Sequence, residues 1–590
     1  MHKTLTETQK KICRKKGKFV VRACPGSGKT FTVAAKMANL LKKWPYPNRG
    51  VAVISFTNVA WQEIQRQLNV SFDINIPLEY PHFLGTIDSF INQFIFLPHG
   101  HLVLNCDSRP KLAGEPVYPW KYVERYDHDP DQYFDKISLD INGEISRISR
   151  VDFKWQKVKK DGDDDKNYLN VKKMKKRFFK KGYVNQSDGN YFAMKLIQKY
   201  PVIAKNICLR FPFIIIDEAQ DVSEIQMRII DSFIENDLEN LTLVGDPDQA
   251  IFEWNDAKPE LFNHKARELD DIIIMNENWR SSQNICNFTY FLSDLDKKSK
   301  SQNKEIKNYK HEPVIWGYNP DNPNFNQLIH DFLELCKYED INLDSDNVAI
   351  LARSKNLINQ MVLSIKNHPE KTNNNFNPWK QDNFARELLF SKYLFDNQEF
   401  QKSFKLLEKT YLSMLGGYTI YSDYELAEII SQKGYFNFKR EIVNLINKMP
   451  TIDRPIGEWI NEFKQNIKEN EFFHLFDKNL EINEGHNLNF DEIFASDNFN
   501  INYKLSTIHK VKGETFEAVM VILKNRSANN QLYRNILKKD KIADNEELRN
   551  VYVGITRPRK VLILAVPSED KDVWDKSFHE KQKTLASFFN

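Results

Sequence analysis

Six cysteines are spread through 590 residues, at Cys13, Cys24, Cys106, Cys208, Cys286 and Cys336, and none forms a CxxC pair. That spacing predicts neither a disulfide framework nor a zinc or iron–sulfur site. Nowhere do about 18 apolar residues run together, so no membrane-crossing helix and no membrane partner are expected. The opening MHKTLTETQKKICRKKGK is polar and lacks the apolar centre of a secretory signal, so a reducing cytoplasm is the expected setting. A dominant charge is also missing: 84 Lys and Arg against 80 Asp and Glu leave +4. Such a balance neither demands nor excludes nucleic acid, because a local basic track is enough to bind phosphates.

What is present is enough apolar material for real cores, 41% of the chain with 13% aromatic, at a length that suits three or four domains. Short apolar runs at 19–23, 51–56, 213–216 and 241–244 each lead through a polar turn towards a helical pattern. A second set follows at 272–275, 314–316, 348–351, 505–508, 519–523 and 561–566. Buried runs alternating with amphipathic helices predict parallel sheets covered on both faces, hence two α/β domains.

The strongest local motif is ACPGSGKT, comprising Ala23, Cys24, Pro25, Gly26, Ser27, Gly28, Lys29 and Thr30, between a strand and a helix. Its glycines let backbone N–H groups close around phosphates, and the helix N-terminus adds favourable potential. Lys29 is expected to reach the β- and γ-phosphates of ATP, and Thr30 to ligate Mg²⁺. Ala23 stands where the GxxxxGK[ST] pattern has its first glycine, and a bare glycine-rich turn is the competing reading of this segment alone. Further on, FPFIIIDEAQD sets Asp217 and Glu218 at the exit of a buried strand. There the first acid is expected to hold Mg²⁺ and the second to polarise the attacking water.

DEAQD, preceded by ACPGSGKT and followed by LVGDPDQAIFEW, resembles the superfamily 1A helicases of the UvrD/Rep/PcrA group. Further segments match that family in order: LTETQ (5–9), ISFTNVAWQEI (54–64), GTIDSF (85–90), NENWRSS (276–282), LARSK (351–355), STIHKVKGETF (506–516) and VYVGITRPRK (551–560). The resemblance implies two RecA-like parallel-sheet P-loop NTPase domains, each carrying a mainly helical insert. It places them at 1–95 with 206–275, and at 276–360 with 501–590; the inserts are 96–205 and 361–500.

The resemblance also implies roles. Gln9 reads adenine, and Trp279 stacks on it where the family usually has Tyr. Gln249 senses the γ-phosphate, its amide able both to donate and to accept. Arg280 and Arg557 become arginine fingers, their planar forks matched to the transferring phosphoryl group. For single-stranded DNA, Phe56, Phe252 and Trp254 are candidate stacking platforms, since base–aromatic stacking tolerates any sequence; for Phe56 and Phe252 a core position competes. Thr57, Asn58, Thr86, Ser89, Arg353, Thr507 and His509 are candidate contacts to the phosphate backbone, with turn or cap roles as the alternative. Asp88 stands where His is frequent. The pattern KGLEF reads KGETF here, so Glu514 is shifted by one position from the family's ribose-binding glutamate, while Gly513 stays a candidate for close backbone approach.

The first insert holds aspartates at 161 and 163–165, then VKKMKKRFFKK at 171–181, seven of whose eleven residues are Lys or Arg. This stretch reads either as a strand-tracking surface or as a solvated helix face. The second insert, rich in Asn, Phe and Lys, reads as helical and compact. Thirty-three residues follow Arg557, too few for a RecB-type nuclease domain, so any cutting is expected from a separate nuclease partner. Several segments (23–30, 56–64, 85–90 and 509–516) look closer to helicase-like subunits of Gabija-type anti-phage systems than to repair helicases. The chemistry thus leaves a 3′→5′ helicase, a housekeeping repair helicase and a DNA-sensing subunit that regulates a nuclease as readings; a P-loop kinase or transporter is disfavoured by the aromatic and arginine motifs.

Overall fold

The computed structural model describes residues 5–74, 80–106, 109–112, 134, 137–148, 166–251, 258–366, 384–416, 430, 434–469, 473–482, 485–490, 494, 501–527, 530–539, 542 and 545–588. Two parallel sheets organise it. The first holds six strands, β1 (Lys18–Ala23), β2 (Val51–Ser55), β3 (Phe83–Thr86), β4 (Phe213–Ile216), β5 (Asn240–Gly245) and β6 (Ile272–Met275), in the order β6-β1-β5-β4-β2-β3. The second holds five, β7 (Val314–Tyr318), β8 (Val348–Ala352), β9 (Lys504–Thr507), β10 (Phe516–Ile522) and β11 (Pro558–Pro567), in the order β7-β11-β10-β8-β9.

Both sheets are buried on both faces, which explains why their strands read as unbroken apolar runs. Along β4, Ile214 and Ile216 enter one core while Phe213 and Ile215 enter the other. The second sheet repeats the pattern: Ala349 and Leu351 of β8 face one core, and Val348, Ile350 and Ala352 the other. The loops after β1, β4 and β5 leave C-terminal strand ends, so the parallel register brings these distant segments to one edge of the first sheet.

Two strands differ from the sequence expectation. As an apolar run 272–275 falls in the second set, whereas the bounds implied by the resemblance put it in the first domain; β6 lies at the edge of the first sheet, Val20 pairing with Ile272 and Ala23 with Met275. An apolar run declares burial and not which sheet it joins. β3 carries no sequence signal of its own: four residues, FLGT, that become a strand by pairing with β2, Ser55 opposite Thr86.

The first insert contains helices Lys166–Lys180 and Gln186–Lys199 and the antiparallel pair Ile137–Leu139 with Ile145–Ile148. The basic stretch at 171–181 divides by helix face. Lys173, Lys176, Arg177, Lys180 and Lys181 are exposed, whereas Met174, Lys175 and Phe178 are buried. Lys175 forms an ion pair with the fully buried Asp188 and donates to the Phe134 carbonyl at 3.0 Å. The aspartates at 161–165 lie outside the described residues. The second insert is helical, with Ala385–Asp396, Phe400–Gly416, Tyr435–Lys448 and Ile456–Asn466 packed around Trp459 and Phe463. Met361, on the helix Lys355–Lys366, belongs to the core of the second sheet. Among the described residues no helix is long and apolar enough to cross a membrane.

Candidate nucleotide site and nucleic-acid edge

The turn from β1 into helix α1 (Lys29–Leu41) requires left-handed backbone twice, at Gly26 (φ 70°) and Gly28 (φ 78°). Space adds a second demand at Gly26, where a Cβ would sit 2.7 Å from Cβ of Arg280 and 2.9 Å from Oδ1 of Asn278. No side chain caps the start of α1. Its first N–H groups therefore form an anion site alongside the loop amides. Around this loop, Ala23 and Cys24 are buried, and burial pushes the Cys24 thiol up to about 12.

Gln9 lies beneath the loop. It completes a capping box with Thr6 at the start of helix Glu7–Arg14, and its Nε2 donates to the Ser27 carbonyl at 3.5 Å. Lys36 of α1 pins that helix from below, its buried Nζ donating to the Ile12 and Lys15 carbonyls at 2.9 and 2.7 Å. Burial brings the Lys36 ammonium down to about 8.

At the exit of β4, Asp217 accepts from Thr30 Oγ1 at 3.1 Å. Burial, then the neighbouring charge of Glu218, pushes the Asp217 carboxyl up to about 7. Burial acts on Glu218 in the same sense, but Lys29, Lys512, Gln220 and Arg557 together hold its carboxyl below the ordinary value. Its backbone is left-handed at φ 53°, a conformation that costs a non-glycine residue energy. A hydroxyl and a carboxylate side by side are hard oxygen donors, and a cation between them would relieve the charge that raises Asp217. Thr30 and Asp217 therefore fit Mg²⁺ that also takes phosphate oxygens and water. Lys29 Nζ stands 4.0 Å from Asp246 Oδ2, near enough to exchange that carboxylate for phosphate.

The second sheet supplies the opposite wall. Arg557, 1% exposed, donates from Nη2 to Gln249 Oε1 at 2.7 Å, and Gln249 Nε2 donates to Asp246. Arg280 Nη1 donates to the Thr556 carbonyl at 3.0 Å. Desolvation brings the Arg280 guanidinium down to about 10, and desolvation with repulsion from Arg280 lowers Arg557 well below its ordinary value. A half-buried and a fully buried guanidinium that repel each other favour an anion between them. Trp279 is 41% exposed, and its backbone N–H donates to the Gly26 carbonyl at 2.8 Å, which sets the indole beside the phosphate loop.

Sequence reasoning missed four residues that tie the two halves together. Asn278 Nδ2 donates to the Pro25 carbonyl at 2.9 Å. Arg549 Nε donates to the Ala250 carbonyl at 2.7 Å. Lys512 Nζ donates to Asp221 Oδ2 at 2.7 Å. Asp221 and Lys512 sit inside recognised motifs, but nothing in one dimension pairs positions 291 apart.

The candidate DNA contacts gather at matching corners of the two sheets. Thr57 caps helix Asn58–Phe72 by accepting from the Ala60 N–H at 3.2 Å, and Asn58 Oδ1 accepts from the Trp61 indole at 3.1 Å. Beside them Thr86 Oγ1 accepts from the Ser89 N–H at 3.1 Å, and the two hydroxyls lie 2.8 Å apart. Thr57, Asn58 and Ser89 are exposed, while Thr86 and Phe56 are half-buried. In the second sheet Ala352 pairs with Thr507, which brings Arg353 next to His509. Arg353 Nη2 donates to the buried Glu547 at 3.1 Å, and its Nη1 lies 3.4 Å from His509 Nδ1. Burial, then Arg353, lowers His509 to about 4.

Phe252 and Trp254 lie outside the described residues. Asp88 turns inward, accepting from Asn190 and Gln226, both at 2.9 Å. Glu514 pairs with Lys504 at 2.6 Å, and Gly513 adopts φ 95° with open space where a Cβ would stand.

Two stacked-helix parallel-sheet domains closing on one phosphate loop define a P-loop NTPase of the two-domain motor type. Residues 5–270 match the UvrD/REP helicase N-terminal domain and residues 381–569 the UvrD-like helicase C-terminal domain. The chain belongs to the UvrD-like helicases of superfamily 1. It is 23% identical over 271 residues to a probable DNA helicase II homolog of Mycoplasma capricolum, covering 44% of this chain and 36% of that protein. It is 26% identical over 304 residues to the Gabija protein GajB of Bacillus cereus, covering 51% of each. Over 130 residues it is 33% identical to the exonuclease/helicase subunit RexA of Lactococcus lactis, covering 21% of this chain and 10% of that protein. The chain thus spans about half or less of the length of these relatives.

Proposed function

We propose that the protein is an ATP- and Mg²⁺-dependent translocase and helicase acting on single-stranded DNA in the 3′→5′ direction. The observation that carries this is the Gln249–Arg557 hydrogen bond at 2.7 Å, which joins the loop after β5 to the start of β11, with Gln249 and Lys29 both against Asp246. Hydrolysis chemistry then belongs to Lys29, Glu218, Gln249, Arg280 and Arg557. Thr30 and Asp217 hold the metal; Gln9 and Trp279 take the base. The motor domains comprise 1–95 with 206–275 and 276–360 with 501–590, and 96–205 and 361–500 are inserts. With phosphate contacts at the β2–β3 corner and the β8–β9 corner, closing the cleft shifts one grip relative to the other along a strand.

Similarity to GajB over half of each chain supports a narrower version. In it the protein works in the cytoplasm beside a separate nuclease in anti-phage defence, and ATP and DNA occupancy regulate that nuclease with little unwinding. One experiment separates these readings: ATPase rate with and without single-stranded DNA, run beside a duplex-unwinding assay. Stimulated ATPase with unwinding supports the helicase, stimulated ATPase without it the sensor. Lys29→Ala and Glu218→Gln are expected to lower kcat by at least about 10²-fold. No stimulation by DNA, or full activity in both variants, overturns the proposal.

A further inference from the structure

The loop that follows β9 faces two ways. Its upstream end holds Thr507 and His509, candidate contacts to the DNA backbone. A 3₁₀ turn, Ile508–Val511, leads straight into Lys512, whose backbone N–H donates back to the His509 carbonyl at 3.5 Å. Lys512 then reaches across to the first domain and donates to Asp221 Oδ2 at 2.7 Å. The bridge is nearly dry: the side chains are 13% and 2% exposed.

From Asp221 the contact continues to the hydrolytic carboxylate. Gln220 Nε2 donates both to Asp221 Oδ2 at 3.2 Å and to Glu218 Oε2 at 2.6 Å, while its Oε1 accepts from the Asp246 N–H at 2.9 Å. The same loop also touches the arginine over the phosphates, Arg557 Nη1 lying 3.5 Å from the Glu514 carbonyl. Asp221 is unusual for a structural acid. It is fully buried, and its Oδ1 makes no hydrogen bond. Lys512 is the cation within hydrogen-bond reach of this carboxylate, so moving it away leaves a buried charge without its ion-pair partner.

We propose that Lys512 is a positioning residue that reports DNA occupancy to Glu218: a strand held at Thr507 and His509 sets Lys512 on Asp221, and Gln220 passes that position on. This rests on the DNA-dependent ATPase proposed above. Lys512 itself touches no reacting atom.

The test is kcat for ATP with and without saturating oligo-dT, together with the oligo-dT Kd from fluorescence anisotropy. The wild-type protein is compared with Lys512→Met, Lys512→Arg and the double variant Lys512→Met/Asp221→Asn. The double variant leaves no uncompensated charge in the interior, so it guards against a simple folding defect. The expected result is that the ratio of stimulated to unstimulated kcat falls at least tenfold in Lys512→Met and in the double variant. Kd for oligo-dT stays within about twofold of wild type, and Lys512→Arg restores most of the ratio. A wild-type ratio in the double variant overturns the inference, as does a loss of stimulation accounted for by weaker oligo-dT binding. Absence of stimulation in the wild-type protein instead overturns the functional reading on which the inference rests.

Discussion

At Glu218 two costs meet, burial beside Asp217 and a left-handed backbone, and the hydrogen bond from Gln220 helps to offset them. Such strain is tolerated where surrounding contacts over-determine the geometry, and here they come from both domains. His509 shows the reverse arrangement, a base whose charged form is disfavoured. Burial comes first among the causes, then Arg353, and Lys512 adds to it, bringing the imidazole to about 4 from an ordinary value of 6.5. The unfolded chain therefore takes up this proton first, and the stability that neutral His509 contributes is lost as pH falls from about 6.5 through 4. Thermal melts across that range should lose midpoint less steeply in His509→Gln than in wild type. Equal slopes would show that the imidazole is not held neutral. The glycines of the phosphate loop were legible because a positive φ restricts residue type. The inward turn of Asp88 was not, since its partners Asn190 and Gln226 lie about 100 positions or more away.

At the scale of elements, the first insert is stabilised by a buried ion pair. Lys175, on the buried face of helix Lys166–Lys180, pairs with Asp188 of helix Gln186–Lys199, with the Phe134 ring 4.3 Å from its ammonium. Asp188→Ala leaves that ammonium alone in the interior. The expected loss is about 3–5 kcal/mol, with a smaller loss in Lys175→Met/Asp188→Leu, measured as denaturation midpoints. A single variant as stable as wild type would contradict the pairing. This feature was hidden inside a run that reads from sequence as uniformly basic, because charge count does not reveal which face of a helix is covered. The long strands of both sheets were legible as apolar runs with polar turns. β3 was not, for its four residues are a strand only by virtue of their partner. The sheet that β6 joins could not be read from its apolar run, since pairing is decided in three dimensions; only the motif order set its residues with the first domain.

For the whole molecule, polar links among the described residues span the two halves, among them Asn278 to Pro25, Trp279 to Gly26, Ser293 to Asp248, Gln249 to Arg557, Arg549 to Ala250 and Lys512 to Asp221. On the first-domain side Pro25, Gln249 and Ala250 follow C-terminal strand ends, where the phosphate loop and the paired acids also lie, and Arg557 meets them from the start of β11. The candidate nucleotide residues could be picked out in the sequence because phosphate and metal chemistry narrows residue choice at fixed spacing. The links were not, because a lysine or an asparagine in a motif does not announce its partner. A cleft bound together by ATP and loosened by its hydrolysis moves two grips on one strand, and this is the central claim. It is tested most directly by pre-steady-state translocation on oligo-dT of increasing length, labelled with a fluorophore at the 5′ or the 3′ end. The account predicts that with ATP the signal from the 5′ label arrives after a lag that grows linearly with length, while the 3′ label gives a lag independent of length. A time course independent of length at both ends, in a protein that hydrolyses ATP, would contradict it.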